Sequence, residues 1–168
     1  ADKSGNSSTN VLCLNGVAGN YASAPDSVPL SITGDIDIQA NVALSDWTPS
    51  AVNVVCAKWA GGGAGSYIFR VTTAGAIQLS YSLDGTAVIS ATSTATVSFS
   101  DLSSGWIRAT KQSSSGTVKF YTSANGSIWT QLGTDVAATS GAMFDGAQSL
   151  EIGSRNAGSA ELLSGQIY

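Results

Sequence analysis

From Gly34 to Leu44 the chain reads GDIDIQANVAL, and within it Ile36, Ile38, Ala40, Val42 and Leu44 alternate with Asp35, Asp37, Gln39, Asn41 and Ala43. A period of two marks a β-strand with one dry and one wet face. Shorter runs of the same kind follow: AVNVVCAKW, SYIFRVTT, AIQLSYSL, TAVISA, GWIRATKQ, TVKFYTS, SIWTQLG, SLEIGS and SGQIY, punctuated by Gly, Asn, Asp and Ser. No stretch carries a long 3.6-residue apolar period with capping signals. The connections are mostly too short for the helical crossovers that parallel strands need. The pattern predicts an all-β protein, a two-sheet antiparallel β-sandwich or jelly roll of ten or more strands.

Two turns stand out. YSLDGTAV aligns with YTSANGSIW, so that Ser82, Asp84, Gly85 and Thr86 match Ser123, Asn125, Gly126 and Ser127. Asp-Gly and Asn-Gly supply the positive φ values of tight hairpins, which makes both segments turns first, with Trp129 packed beside the second.

A length of 168 residues, 43% of them hydrophobic, fits one domain, here residues 11–168, preceded by a polar, flexible segment at 1–10. GGGAG at 61–65 reads as a mobile connector. Charged residues make up only 11% and the net charge is -4, so no cationic surface exists for nucleic acid. No run approaches the roughly 20 apolar residues of a membrane helix, which speaks against membrane insertion. The chain has no histidine. That removes the commonest general base, the usual nucleophile pairs and the usual zinc ligand. Cys13 and Cys56 lie in the apolar stretches VLCLNG and VVCAKW and read as buried free thiols, with a disulfide as the alternative. Arg70, Arg108, Lys111 and Lys119 alternate with apolar residues and are expected to face outward, leaving Arg155, after LEIGS, as the cation best placed to contact a ligand. Asp26, Asp46, Asp101, Asp135 and Asp145 fall in loops, where turn capping is their ordinary role and calcium, which takes hard oxygen ligands, is the other.

The order of several phrases carries a resemblance. LNGVAGNY at Leu14–Tyr21, GDIDIQANV at Gly34–Val42, WIRA at Trp106–Ala109, LEIG at Leu150–Gly153 and GQI at Gly165–Ile167 resemble, in sequence, the laminin-G-like or concanavalin A-like lectin and glucanase superfamily. The resemblance spans nearly the whole chain and implies a sandwich whose rim loops bind sugar by aromatic stacking and Asn or Asp hydrogen bonds. It points to Trp47 beside Asp46, Trp59 beside GGGAG, Tyr67, and Trp129 beside Asn125, and it assigns Trp106 to a buried strand. For Trp47 and Trp59 individually the core is the favoured place, because aromatic residues dominate β-sandwich interiors. It also implies a rim calcium, for which Asp26, Asp46 and Asp145 are the candidates. The glucanase branch carries a signature like E-I-D-x-x-E; DIDIQA at Asp35–Ala40 echoes its first half, but Ala40 stands where the last carboxylate belongs, so the pair that retaining hydrolysis requires is missing.

The low-charge, Ser-, Ala-, Gly- and Thr-rich wording is similar to versions carried by bacteriophage virion proteins and bacterial surface proteins. The expectation is therefore a non-catalytic surface binding module, displayed on a virion or outside the cell as decoration, fibre or tail, that recognises glycans. A decoration domain that binds neighbouring virion proteins is the alternative, and a glycoside hydrolase is third. In the superfamily the closing strand continues past the G-x-I phrase, whereas this chain stops at Tyr168. Either the sequence is a piece of a longer protein, lacking part of its last strand, or that edge is short, and an open edge usable for homo-oligomer contact is the further expectation.

Overall fold

The computed structural model describes residues 10–61 and 64–168. The expectation of a flexible segment at 1–10 falls almost wholly outside them, as does the middle of the 61–65 connector. Of that connector, Ala64 and Gly65 already belong to a strand.

Among the described residues thirteen strands follow one another: β1 Leu12–Asn15, β2 Ala22–Ala24, β3 Ile36–Leu44, β4 Asn53–Ala60, β5 Ala64–Val71, β6 Ala76–Tyr81, β7 Ile89–Thr96, β8 Gly105–Lys111, β9 Thr117–Ser123, β10 Thr130–Gln131, β11 Val136–Ala137, β12 Leu150–Ile152 and β13 Ser164–Ile167. A 3-10 turn spans Val28–Leu30, with Pro29 early in it, where its missing N–H costs nothing. The strands form two antiparallel sheets. One runs β1-β13-β3-β8-β9-β10, with β11 also on β9; the other runs β2-β12-β4-β5-β6-β7.

The period-two pattern decides which side of each strand is dry. On β3 and β8 the pairs Ile36 with Lys111, Ile38 with Ala109, Ala40 with Ile107, and Val42 with Gly105 face inward. They meet Tyr67, Phe69, Ile77, Leu79 and Tyr81 of the second sheet in one hydrophobic core. Each such side chain, fully removed from water, contributes roughly 1.5–3 kcal/mol before conformational entropy is subtracted.

Four sequence expectations are corrected here. Lys111 points inward: it is 1% exposed. Its ammonium lies 4.8 Å from the centre of the Tyr81 ring and donates to the Gly141 carbonyl at 2.9 Å. A cation over an aromatic face and on a carbonyl is tolerable inside a core, although burial pulls its pKa down. Trp106 shows the reverse error. It shares a phase with Arg108 and Thr110, so it lies on the solvent side of β8 and is only partly buried. The cysteines are both free, but only Cys56 is buried; Cys13 is exposed on β1, an edge strand. The open edge at Tyr168 does not exist as expected, because β13 is paired on both flanks, with β1 and with β3. Its pairing with β3 runs only from Val42 to Leu44, and among the described residues Ile36–Ala40 have no strand on that side.

Candidate functional site

The solvent face of the seven-stranded sheet can be read from its register. Trp106 stands opposite Asn41 and Ser123; Arg108 opposite Gln39 and Tyr121; Thr110 opposite Asp37 and Lys119. Successive rows on one face lie about 6.8 Å apart, so the stripe from Trp106 to Gln112 runs roughly 20 Å along β8. It combines aromatic, amide, hydroxyl and charged groups, and beside Tyr121 it opens into a hollow of ≈ 430 Å³ lined by Asp35, Asp37, Thr110, Gln112 and Lys119.

The aromatic end is built by the second turn. Asn125 Oδ1 accepts the Ser127 and Ile128 N–H groups at 2.9 Å each, and Ser123 Oγ accepts from Gly126 N at 3.0 Å. The first turn repeats this with Asp84, whose Oδ1 accepts from Thr86 and Ala87 at 2.8 Å, so the two sequence copies are two copies of one device. Those backbone hydrogen bonds hold the Asp84 carboxyl far below its ordinary range. Asn125 thus spends its carbonyl oxygen on the turn, while its exposed Nδ2 makes no hydrogen bond among the described residues. Gly126, at φ +72°, lies flat against the Trp106 indole, where an added Cβ would sit 2.7 Å from the ring. Just past the turn, Trp129 meets Trp106 edge to face, with ring centres 6.4 Å apart and planes at 85°.

Arg108 joins the rings to the polar half. Its guanidinium carbon lies 5.4 Å from the centre of Tyr121 and 5.3 Å from that of Trp129. Its Nε donates to Asp37 Oδ1 at 2.7 Å, and Nη2 donates to Asp37 Oδ2, a two-pronged pair that raises the arginine pKa further. Lys119 pairs with Asp135 at 3.0 Å, and Gln131 donates to the same carboxylate at 2.9 Å; together they lower its pKa. Asp35 accepts the Ser113 N–H at 2.7 Å.

The remaining sequence candidates lie elsewhere. Trp47 is 2% exposed and packs against Phe99 with ring centres 5.1 Å apart, so it is core. Trp59 is 8% exposed, in a small cluster with Val54, Ala57 and Ile68, and lies against Gly65. Tyr67 is buried as well, and burial pushes its hydroxyl pKa up to about 12. Arg155 is committed to Glu161 at 2.9 Å; Arg70 grips the other oxygen of that carboxylate at 2.8 Å.

Asp26 and Asp145 are brought together, as a shared metal would require, but around Lys58. Its wholly buried ammonium lies 2.9 Å from Asp26 and 3.1 Å from Asp145, and it also donates to the Gly146 carbonyl. The donor set suits a hard cation, and the lysine occupies its centre. Hydrogen bonds to Ser31 and Lys58 lower the Asp145 pKa. Asp46 lies apart and caps Thr48, accepting from its N–H at 2.7 Å and its hydroxyl at 3.1 Å. No group of three or more Cys, Asp or Glu side chains able to hold a metal occurs among the described residues.

No protein-family model and no curated protein matches the sequence. Solved structures match in shape. The Ruminococcus gnavus IT-sialidase CBM40 bound to α2,3-sialyllactose superposes with a TM-score of 0.61 over 94% of this chain and 88% of its own, at 12% identity. Domains LG4-5 of the mouse laminin α1 chain give 0.58 over 93% of this chain and 38% of theirs, also at 12% identity. A heptameric SAP-like pentraxin from Limulus polyphemus gives 0.51 over 88% and 71%, at 10% identity. Likeness at this level of identity is likeness of fold, and in fold this chain is a laminin-G-like, concanavalin A-like β-sandwich.

Proposed function

We propose that this chain is a non-catalytic carbohydrate-binding module whose platform is the solvent face of β3, β8 and β9. One observation carries the reading: Trp106, Tyr121 and Trp129, each only partly buried, stand together around Arg108 on an otherwise polar face. Aromatic rings are normally spent in a sandwich core, and a cluster at the surface beside hydrogen-bonding groups is the arrangement that stacks on the apolar face of a sugar while binding its hydroxyls. The shared fold with a module that binds sialyllactose supports the same reading. On this strand Asp35 accepts the Ser113 N–H, Asp37 is paired with Arg108, and Ala40 stands where the glucanase-like signature would put its last carboxylate, so that signature's pair is not formed here. Display on a virion surface or outside the cell belongs to this reading through composition alone.

A glycan array probed with the wild type and with Trp129→Ala and Tyr121→Ala variants tests it. Binding lost in a variant that stays folded supports the platform. Wild-type silence, or binding indifferent to both substitutions, rejects it. The unpaired side of Ile36–Ala40 favours a second reading, an assembly domain that takes a neighbouring protein's strand. Silence on the array would move the bet there.

A further inference from the structure

We infer that the ligand of this platform is an uncharged oligosaccharide, an inference that rests on the carbohydrate reading above. The reason is the fate of the cations. Lys58 is held by Asp26 and Asp145, Arg70 and Arg155 by Glu161, Arg108 by Asp37, and Lys119 by Asp135. Lys111 is sealed in the core under Tyr81. Among the described residues, then, all six cationic side chains are committed, and the net charge of the chain is -4. A sialic acid, uronate or sulfate loses solvation on binding, and a free cation is the strongest compensation for that loss. Here it would meet Asp35, Asp37 and Asp135 instead, with the nearest guanidinium already neutralised.

A neutral sugar meets no such obstacle. Arg108 spends Nε and Nη2 on Asp37, and Nη1 makes no hydrogen bond among the described residues. Asp37 is half exposed, so its oxygens can still accept. A donor next to an acceptor matches two adjacent hydroxyls, which both give and take hydrogen bonds. Gln39, Thr110 and Gln131 extend that capacity along the stripe, and Trp129 and Tyr121 offer the stacking surface. The stripe's length of roughly 20 Å suits several sugar units rather than one.

The test is an array holding neutral and acidic oligosaccharides side by side, read from ~0.05 to ~0.5 M NaCl, where screening separates ionic from non-ionic binding. The expected result is binding to neutral glycans that changes less than about twofold across that range. Binding confined to sialylated or sulfated glycans and falling steeply with salt overturns the inference and leaves the carbohydrate reading standing. Silence on every glycan overturns both. A folded Asp37→Asn variant, which frees the Arg108 guanidinium, should gain acidic-glycan binding by roughly tenfold, the equivalent of one good ionic hydrogen bond. A folded variant that gains none refutes the part assigned to the pair.

Discussion

Gly126 joins the turn to the platform, and Gly126→Ala puts that joint to the test. Two costs are separable. At φ +72° a non-glycine residue enters the left-handed region, which costs roughly 1–2 kcal/mol. The new Cβ would also stand 2.7 Å from the Trp106 ring, where carbon atoms prefer about 3.5 Å, so the indole must retreat by about 0.8 Å or the turn must lift. Overpacking of this kind costs about 1–3 kcal/mol, and a partly buried ring that can shift belongs at the low end. The sum is roughly 2–4 kcal/mol. With a urea dependence of about 2 kcal/mol per molar, the unfolding midpoint should fall by roughly 1–2 M at unchanged slope. Trp106→Leu/Gly126→Ala against the single variants isolates the clash: it should return roughly 1 kcal/mol, while the backbone part persists. On the carbohydrate reading proposed above, glycan binding through Trp129 should weaken together with stability, because the ring that braces it has moved. A Gly126→Ala midpoint within error of wild type would refute the reasoning, since neither the backbone cost nor the contact could then be real.

Three further outcomes follow from the geometry. Because the Lys58 ammonium fills the centre of the Asp26 and Asp145 cluster, EDTA or added calcium should leave the thermal midpoint unchanged; a calcium-dependent rise would show a site elsewhere. Burial pushes the Glu161 carboxyl up, but hydrogen bonds from Arg155 and Arg70 outweigh it and set its pKa below the ordinary 4.5. A depressed carboxylate stabilises the fold above the unfolded-state pKa and loses that contribution as pH falls through the folded-state value, so Glu161→Gln should flatten the acid limb of the stability curve between about pH 5 and 3. An unchanged acid limb would count against the pairing. Finally, a thiol reagent should modify Cys13 in the native protein, whereas Cys56, buried with its pKa pushed up to about 12, should react only on unfolding; equal rates for both would contradict the burial.

The sandwich was legible because alternation survives wherever one face of a strand is dry, as in Ile36–Leu44. The phase of a strand is harder to read when both faces are mixed. In GWIRATK the inward set is Ile107, Ala109 and Lys111 and the outward set Trp106, Arg108 and Thr110, so each carries one residue of the wrong kind. Arg108 and Thr110 in step with Trp106 were the signal, and the resemblance of WIRA to a buried strand outweighed it. Trp47 and Trp59, which proximity to polar loop residues also offered to a rim, lie in the core, where aromatic residues of a sandwich ordinarily go. The Lys58 cluster unites residues from three distant segments. Its one local trace was a lysine inside a run, Asn53–Trp59, that is buried without interruption. Pairings across 87 residues or more, such as Lys58 with Asp145, leave no mark in a single sequence.

The placement of β13 between β1 and β3 bears on how the protein reaches its native state. Leu12 finds its partner in Ile167, at nearly the opposite end of the described chain, and until Ser164–Ile167 arrives nothing joins β1 to the rest of its sheet. The loop-closure entropy for that pairing must be met before its hydrogen bonds form, a topology that folds in milliseconds to seconds rather than microseconds. On a ribosome, the seven-stranded sheet cannot be completed before the segment that bridges its first and third strands has left the exit tunnel. Until then the nascent chain exposes Leu12, Leu14, Val42 and Leu44 along an unfilled seam, the stretch where a chaperone or an errant second copy would find its hold.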